Sequence, residues 1–213
     1  MRTGGQALVE TLEQLGVRLC FGLPGVHNLP AWEALRESPI RLVGVRHEQT
    51  AVYAADGHAR TTGELGVALT TTGPGAANAL GATGEAWASH SPVLVIATDI
   101  PTTLRRAGVY RGVLHETRNQ GAMFAPVTKA VVRVGQDWTL EGAIERAAAV
   151  ALTPPTGPVY LEIPTDLLRG KARSPSLVAV GERPQPPLPD LDVAGALCAA
   201  AKRPLLWVGG GAK

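Results

Sequence analysis

Apolar residues along the chain switch repeatedly between helical spacing and short unbroken runs. Leu8, Leu12 and Leu15 recur at helical intervals, and Gly16 ends that predicted helix. Residues 17–21 then read as a short buried strand, Pro24-Gly25 as a turn, and residues 28–37 as a helix. The alternation continues with strands predicted at 40–45, 66–70 and 93–98 and helices at 48–60 and 75–89. Residues 101–126 are mixed and Arg-rich, which predicts a working loop with short helical turns. A strand at 131–134, a helix at 140–152 and a strand at 158–163 follow. Nearly all-apolar strands alternating with helices predict an α/β fold, a parallel sheet with helices on both faces.

The pattern changes after Leu168. Residues 169–190 read as a linker, since five prolines fall between 171 and 189 without helical periodicity. A helix is expected from 192 to 202 and a strand at 205–208 ending in Gly209-Gly210-Gly211. The expected organisation is a first domain over 1–168, a linker over 169–190, and the truncated start of a second domain over 191–213. The chain is therefore expected to be a piece of a longer protein.

Length and charge narrow the chemistry. The 213 residues are 45% hydrophobic and 18% charged, values of a globular chain able to bury a core without disulfides. A formal charge of +2, with no Lys/Arg run, argues against a nucleic-acid partner. Cys20 and Cys198 are too few for a secreted scaffold and read as two buried small hydrophobes. No leader-like segment and no membrane-length apolar stretch occurs, so a cytoplasmic setting is expected.

Several motifs fail on inspection. His47-Glu48 opens like the zinc helix H-E-x-x-H, but Ala51 stands where the second histidine belongs; His115-Glu116 fails likewise at Asn119. The ending Gly210-Gly211-Ala212-Lys213 lacks the spacing and final Ser/Thr of a phosphate loop. No G-x-S-x-G elbow is present, and Ser89-His90-Ser91 are mere sequence neighbours.

Three segments at the C-terminal ends of predicted strands remain, where open parallel sheets place ligands. They are FGLPG at 21–25, RHEQTAVYAADGHAR at 46–60 and TGPGAAN at 72–78. Singly, each could be a turn or an inert helix start. In this order and spacing they resemble the pyrimidine-binding domain of thiamine-diphosphate enzymes, acetolactate synthase large subunits in particular. SPVLVIATDIPT at 91–102, APVTKA at 125–130 and GPVYLEIPTDLL at 157–168 extend the likeness over residues 3–170. The tail KRPLLWVGGGAK at 202–213 is similar to the start of that family's central domain.

The resemblance implies that Glu48 is catalytic. The matching Glu of the family hydrogen-bonds N1′ of the aminopyrimidine and favours its imino form, which removes the thiazolium C2 proton to give the ylide. A partly dry site favours such proton sharing, and Ala51, Ala54 and Ala55 would let the following helix pack closely enough to dry it. Leu23, Pro24 and Gly25 match one side of the aminopyrimidine site; Pro74 and Asn78 match the other. Asp56, Arg60, Lys129 and Asp166 read as fold determinants. The resemblance further implies that Mg²⁺ and the diphosphate belong to a domain absent from this chain. It also implies a site shared between subunits of a homodimer or tetramer. The chain alone is expected to be inactive and to bind cofactor weakly; flavin binding by the parent protein stays open.

The reaction is less constrained. Benzoylformate-decarboxylase-like enzymes carry Ser and His where this chain has Val26 and Thr71. Pyruvate-decarboxylase-like enzymes carry a His pair in the loop after the fourth strand, and His115 offers one of the two. Acetolactate synthases have Phe-Gln-Glu there, whereas this chain has a longer Arg-rich segment in which His115 or Glu116 takes the Gln position. The leading expectation is acetolactate synthase-like carboligation of 2-oxo acids such as pyruvate, with His115 and Glu116 as tentative substrate residues. Decarboxylation of a 2-oxo acid is the alternative, and a non-catalytic or split-chain cofactor-binding subunit a third.

Overall fold

The computed structural model of the protein describes residues 2–135, 139–172 and 190–209. Two compact units are present, residues 1–180 and 181–213. In the first, α1 (Gly4–Gln14), β1 (Leu19–Gly22), α2 (Leu29–Arg36), β2 (Arg41–Gly44), α3 (Glu48–Thr62), β3 (Gly66–Thr70), α4 (Pro74–Ala88) and β4 (Val93–Asp99) alternate as the periodicity predicts. The loop after β4 holds a short 3₁₀ turn, Thr102–Leu104, and ends in α5 (Gln120–Phe124). Then come β5 (Ala130–Arg133), α6 (Leu140–Leu152), β6 (Val159–Pro164) and α7 (Thr165–Arg169).

The six strands form one sheet in the order β2-β1-β3-β4-β6-β5, parallel throughout. Strand alternation sends Val67, Leu69, Leu94, Ile96, Val159 and Leu161 into a core with α1, α2 and α6. Ala68, Val93, Val95, Ala97 and Tyr160 face the other way, against α3 and α4. The two cores differ in kind. The α1/α2/α6 side is rich in Leu, Ile and Val, whereas Ala51, Ala55, Ala59, Ala76, Ala79, Ala82 and Ala86 line the α3/α4 side. Small side chains let those two helices lie close to the sheet and to each other. Both faces are thus covered, as nearly all-apolar strands require.

Local chemistry fixes the ends. Thr3 and Gln6 form a capping box at α1, and Thr139 caps α6 through the Gly142 amide at 3.2 Å. Lys129 donates to the carbonyls of Val150 and Thr153, both at 2.6 Å, and so secures the end of α6. Asp166 accepts from the amide and hydroxyl of Thr102, anchoring the loop after β4. Asp56 and Arg60 form a bidentate pair within α3, at 2.9 and 2.7 Å. Cys20 is fully buried, and burial pushes its thiol up to about 12.

The second unit differs from expectation in two respects. Its described helix, α8 (Asp192–Ala200), is followed by irregular chain at 205–208 instead of a strand. A strand needs a neighbour for its backbone groups, and the described residues of this unit supply none. Cys198 is exposed, because α8 has no apolar partner among the described residues of its unit. Most of the Pro-rich linker, and the glycines after 209, lie outside the described residues. Among the described residues no helix is long and apolar enough to cross a membrane.

Candidate functional site

Strand order locates the site. From β1 the chain moves one way to β2 and returns past β1 to β3, so the β1 and β3 C-terminal ends flank a topological switch point. The FGLPG turn leaves β1 there, and the Thr71–Gly75 turn leaves β3 beside it. Their contact is tight: a Cβ on Gly25 would lie 2.6 Å from the Thr71 Cβ. Asn28 holds the first turn, accepting from the Gly25 amide at 2.8 Å and donating to the Leu23 carbonyl at 3.0 Å.

Glu48 enters from the end of β2 as the first residue of α3, whose N-cap is His47. The His47 Nδ1 accepts from the Gln49 amide at 3.2 Å, which gives the would-be zinc ligand a capping duty. At the helix N-terminus a carboxylate meets a favourable dipole. Glu48 is only 6% exposed, yet its Oε2 has one side-chain donor, Asn78 Nδ2 on α4 at 2.9 Å. A Cβ on Gly75 would sit 3.1 Å from Glu48 Oε1 and 2.6 Å from Thr71 Cγ2. Glycine therefore leaves room for the carboxylate where α4 begins. The Thr71 Oγ1 is buried with no hydrogen-bond partner, an orphan hydroxyl at the meeting point of both turns.

The structure thus brings Gly25, Glu48 and Asn78 into one cluster with Gly75 of the second turn and with Thr71, neither of which had been named a site residue. Leu23 is half-buried in the β1 turn, and Pro24 and Pro74 are exposed at the two rims. Exposed rims over a buried carboxylate leave a way in for a flat ligand.

A second cluster adjoins the Thr71–Gly75 turn. Gly73 has φ +64°, a left-handed conformation suited to glycine, and a Cβ there would lie 2.7 Å from the His115 carbonyl oxygen. The His115 ring meets His27 edge-on with centroids 5.9 Å apart, and its Nδ1 is buried without a partner. The His27 Nδ1 lies 2.7 Å from Thr72 Oγ1, and Thr72 in turn donates to Thr98 at 3.0 Å. Burial, then the His115 and Arg169 charges, lower the His27 imidazole below its ordinary range. Glu116 faces elsewhere: its Oε2 accepts from the Arg111 and Val113 amides at 2.9 and 3.2 Å. The Arg111 amide, with those of Val113 and Gly112, holds its carboxyl below the usual range. Of the two tentative substrate residues, His115 borders the Gly73 turn, while the Glu116 carboxylate closes its own loop.

Gln120, Asp99 and Glu162 form a further buried polar group behind Gly73. Glu162 was visible as a lone acidic residue in the apolar run Val159–Pro164. Gln120 carried no such mark.

A buried carboxylate at a helix start, facing two glycine turns at a switch point of a parallel sheet, places the candidate site at the ligand-binding edge of an α/β domain. Residues 2–123 match the thiamine pyrophosphate enzyme family, in its N-terminal TPP binding domain, and the chain belongs to that family. Among curated relatives, a probable 2-ketoarginine decarboxylase of Pseudomonas aeruginosa is 41% identical over 99% of this chain and 38% of its own length. A probable acetolactate synthase large subunit of Methanocaldococcus jannaschii is 33% identical over 98% of this chain and 36% of its own. Human 2-hydroxyacyl-CoA lyase 2 is 36% identical over 79% of this chain and 26% of its own. The chain spans well under half the length of these relatives.

The residues present fit an aminopyrimidine. Such a ring asks for a carboxyl that shares a proton, for hydrogen-bond partners at its polar edge, and for turns without side chains against its face. Glu48, oriented by Asn78, meets the first demand, and the exposed Pro24 and Pro74 rims leave an approach to it.

Proposed function

We propose that this chain is the aminopyrimidine-binding part of a thiamine-diphosphate-dependent enzyme that removes carbon dioxide from a 2-oxo acid. The observation that carries the reading is the Glu48 carboxylate, buried at the α3 N-terminus with Oε2 held by Asn78 and Oε1 beside the side-chain-free Gly75. Asn78 fixes the carboxylate's orientation, and Oε1 takes up and returns a proton at a ring nitrogen. The Pro24-Gly25 and Pro74-Gly75 turns bound the ring's faces, and Thr71, packed between their glycines, fixes the spacing of the turns. When bound, thiamine diphosphate supplies the electron sink that lets a 2-oxo acid lose its carboxylate. Mg²⁺ and the diphosphate would be held by the rest of the full-length protein, working as a homodimer or tetramer.

The His27–His115 contact favours protonation of the decarboxylated product, the decarboxylase outcome, over the carboligation that the sequence led us to expect. Histidine is the side chain that hands over protons near neutral pH, and this pair stands against the Gly73 turn. The 41% identity to a probable 2-ketoarginine decarboxylase supports the same outcome. Acetolactate synthase-like carboligation is the second reading, supported by the 33% identity to a probable acetolactate synthase large subunit.

The test uses full-length protein with thiamine diphosphate, Mg²⁺ and either pyruvate or 2-oxo-5-guanidinopentanoate, recording carbon dioxide, aldehyde and acetolactate together. Glu48→Gln should lower kcat at least about 100-fold; turnover near that of the parent would sink the role of Glu48. His115→Ala should lower aldehyde formation while the cofactor still binds. Acetolactate as the main product of pyruvate would move the assignment to carboligation.

A further inference from the structure

The Thr72–Gly73 turn is held from behind by a chain of buried side chains. The Gly73 amide donates to Gln120 Oε1. Gln120 Nε2 donates to the Thr98 carbonyl at 2.9 Å and to Tyr160 Oη at 2.7 Å. This fixes the carboxamide orientation, because the flipped amide would set donor against donor at Gly73 and acceptor against acceptor at Thr98. Tyr160, already accepting from Gln120, has its own proton left for Glu162 Oε2, 3.5 Å away. A second arm starts from the other Glu162 oxygen. Arg133 Nε lies 2.9 Å from Glu162 Oε1, and Arg133 also hydrogen-bonds Asn119. Asn119 is the N-cap of α5, the short helix that Gln120 begins, through the Ala122 amide at 3.1 Å. One carboxylate therefore reaches both the side chain of Gln120 and the backbone that carries it.

Asp99 completes the group. Its Oδ1 accepts from the Ile100 amide at 2.8 Å and its Oδ2 from Arg105. Asp99 and Glu162 are each 2% exposed, and Gln120, Tyr160 and Thr98 are fully buried. Arg133 Nε makes no hydrogen bond, so its approach to Glu162 is an ion pair that holds by charge and not by direction.

We infer that Glu162, with Asp99 as the neighbouring charge, is a positioning residue for the Gly73 turn, acting through Tyr160, Gln120 and Arg133. Gly73 is the N-cap of α4, and α4 carries Asn78, the donor to Glu48. Glu162 thus sets the register in which α4 meets Glu48, without itself touching a ligand. Groups facing Glu162 are Asp99 on β4, Arg133 on β5, Tyr160 on its own strand and Arg105 from the loop; His27 faces Asp99. Burial and then the Asp99 charge push the Glu162 carboxyl up to about 7, against the pull of Arg133 and Arg105. Near neutral pH the pair gains a negative charge, and Glu162 becomes a stronger acceptor for Tyr160.

The experiment is amide hydrogen exchange on full-length protein without cofactor, read on peptides covering residues 70–78. Tyr160→Phe removes the hydroxyl and keeps the ring that stacks on Phe124 at 3.9 Å. It should speed exchange at 70–78 about fivefold to tenfold, with peptides from the neighbouring strands unchanged. In the parent, protection of this segment should rise a few-fold between pH 6 and 8 beyond the base-catalysed chemistry. Glu162→Gln should abolish that rise and leave protection independent of pH. Unchanged exchange at 70–78 in Tyr160→Phe, or an equal increase across the whole sheet, overturns the inference. That the turn serves a cofactor rests on the proposed function. Thiamine diphosphate affinity is therefore measured in parallel and should fall several-fold in Tyr160→Phe. A parent that fails to bind the cofactor would refute the proposed function, while exchange alone would still decide the positioning role.

Discussion

At the scale of single residues, two buried acids of the same domain differ because their surroundings differ. Glu48 has a helix N-terminus and one amide donor, whereas Glu162 faces a second carboxylate and two guanidinium groups inside the sheet's covered region. The second arrangement makes stability depend on pH. A carboxyl raised from 4.5 to about 7 keeps its proton in the folded state over a range where the unfolded chain has lost it. Glu162 therefore contributes stability that is fully present below pH 4.5, declines as pH rises, and is gone above about 7. Glu162→Gln retains the shape without the titration. Its apparent Tm relative to the parent should rise between pH 5 and pH 8, as scanning calorimetry at both values would show. A difference constant with pH would mean that Glu162 ionises as freely in the folded protein as in the unfolded chain.

Elements set how closely the site's parts approach. The Ala-lined face brings α3 so near β3 that a Cβ on Gly66 would lie 2.2 Å from the Ala55 carbonyl oxygen. Backbone cannot swing aside as a flexible side chain can, so Gly66→Ala must push α3 away from the sheet. The expected cost is about 2 kcal/mol or more, a fall in apparent Tm on the order of 5 °C; an unchanged transition would show that α3 shifts freely. Since α3 begins at Glu48, the same substitution should also weaken cofactor binding. Elements are also what the sequence displayed best. Unbroken apolar runs such as Val93–Asp99, set between helical repeats, announce buried parallel strands. The insertion of β6 between β4 and β5 was not legible, because the Leu94–Val159 pairing leaves no local trace. At the site, the ordered motifs marked Glu48, Asn78 and the two Pro-Gly turns. They did not mark Thr71, whose significance comes from two glycines meeting it in space, or Gln120, whose partners lie on two strands and a turn. Spacing along one element can be read from sequence; convergence of several elements cannot.

On the scale of the whole molecule, the switch point gathers groups suited to a flat heterocycle and little suited to a polyanion. The two proline-glycine turns present rims instead of a ring of amides and cations. The chain should accordingly recognise the aminopyrimidine and be nearly blind to the diphosphate. Calorimetric titration of the 213-residue chain should give similar, weak affinities for thiamine and thiamine diphosphate, with no response to Mg²⁺. In the full-length protein the two ligands should separate by at least about 100-fold, on the order of 3 kcal/mol, and that separation should vanish when Mg²⁺ is chelated. Glu48→Gln should weaken both ligands alike, because in the proposed function the carboxylate would address the ring they share. A short chain that already prefers the diphosphate in a Mg²⁺-dependent way would place the anion site within these 213 residues and overturn this division of labour.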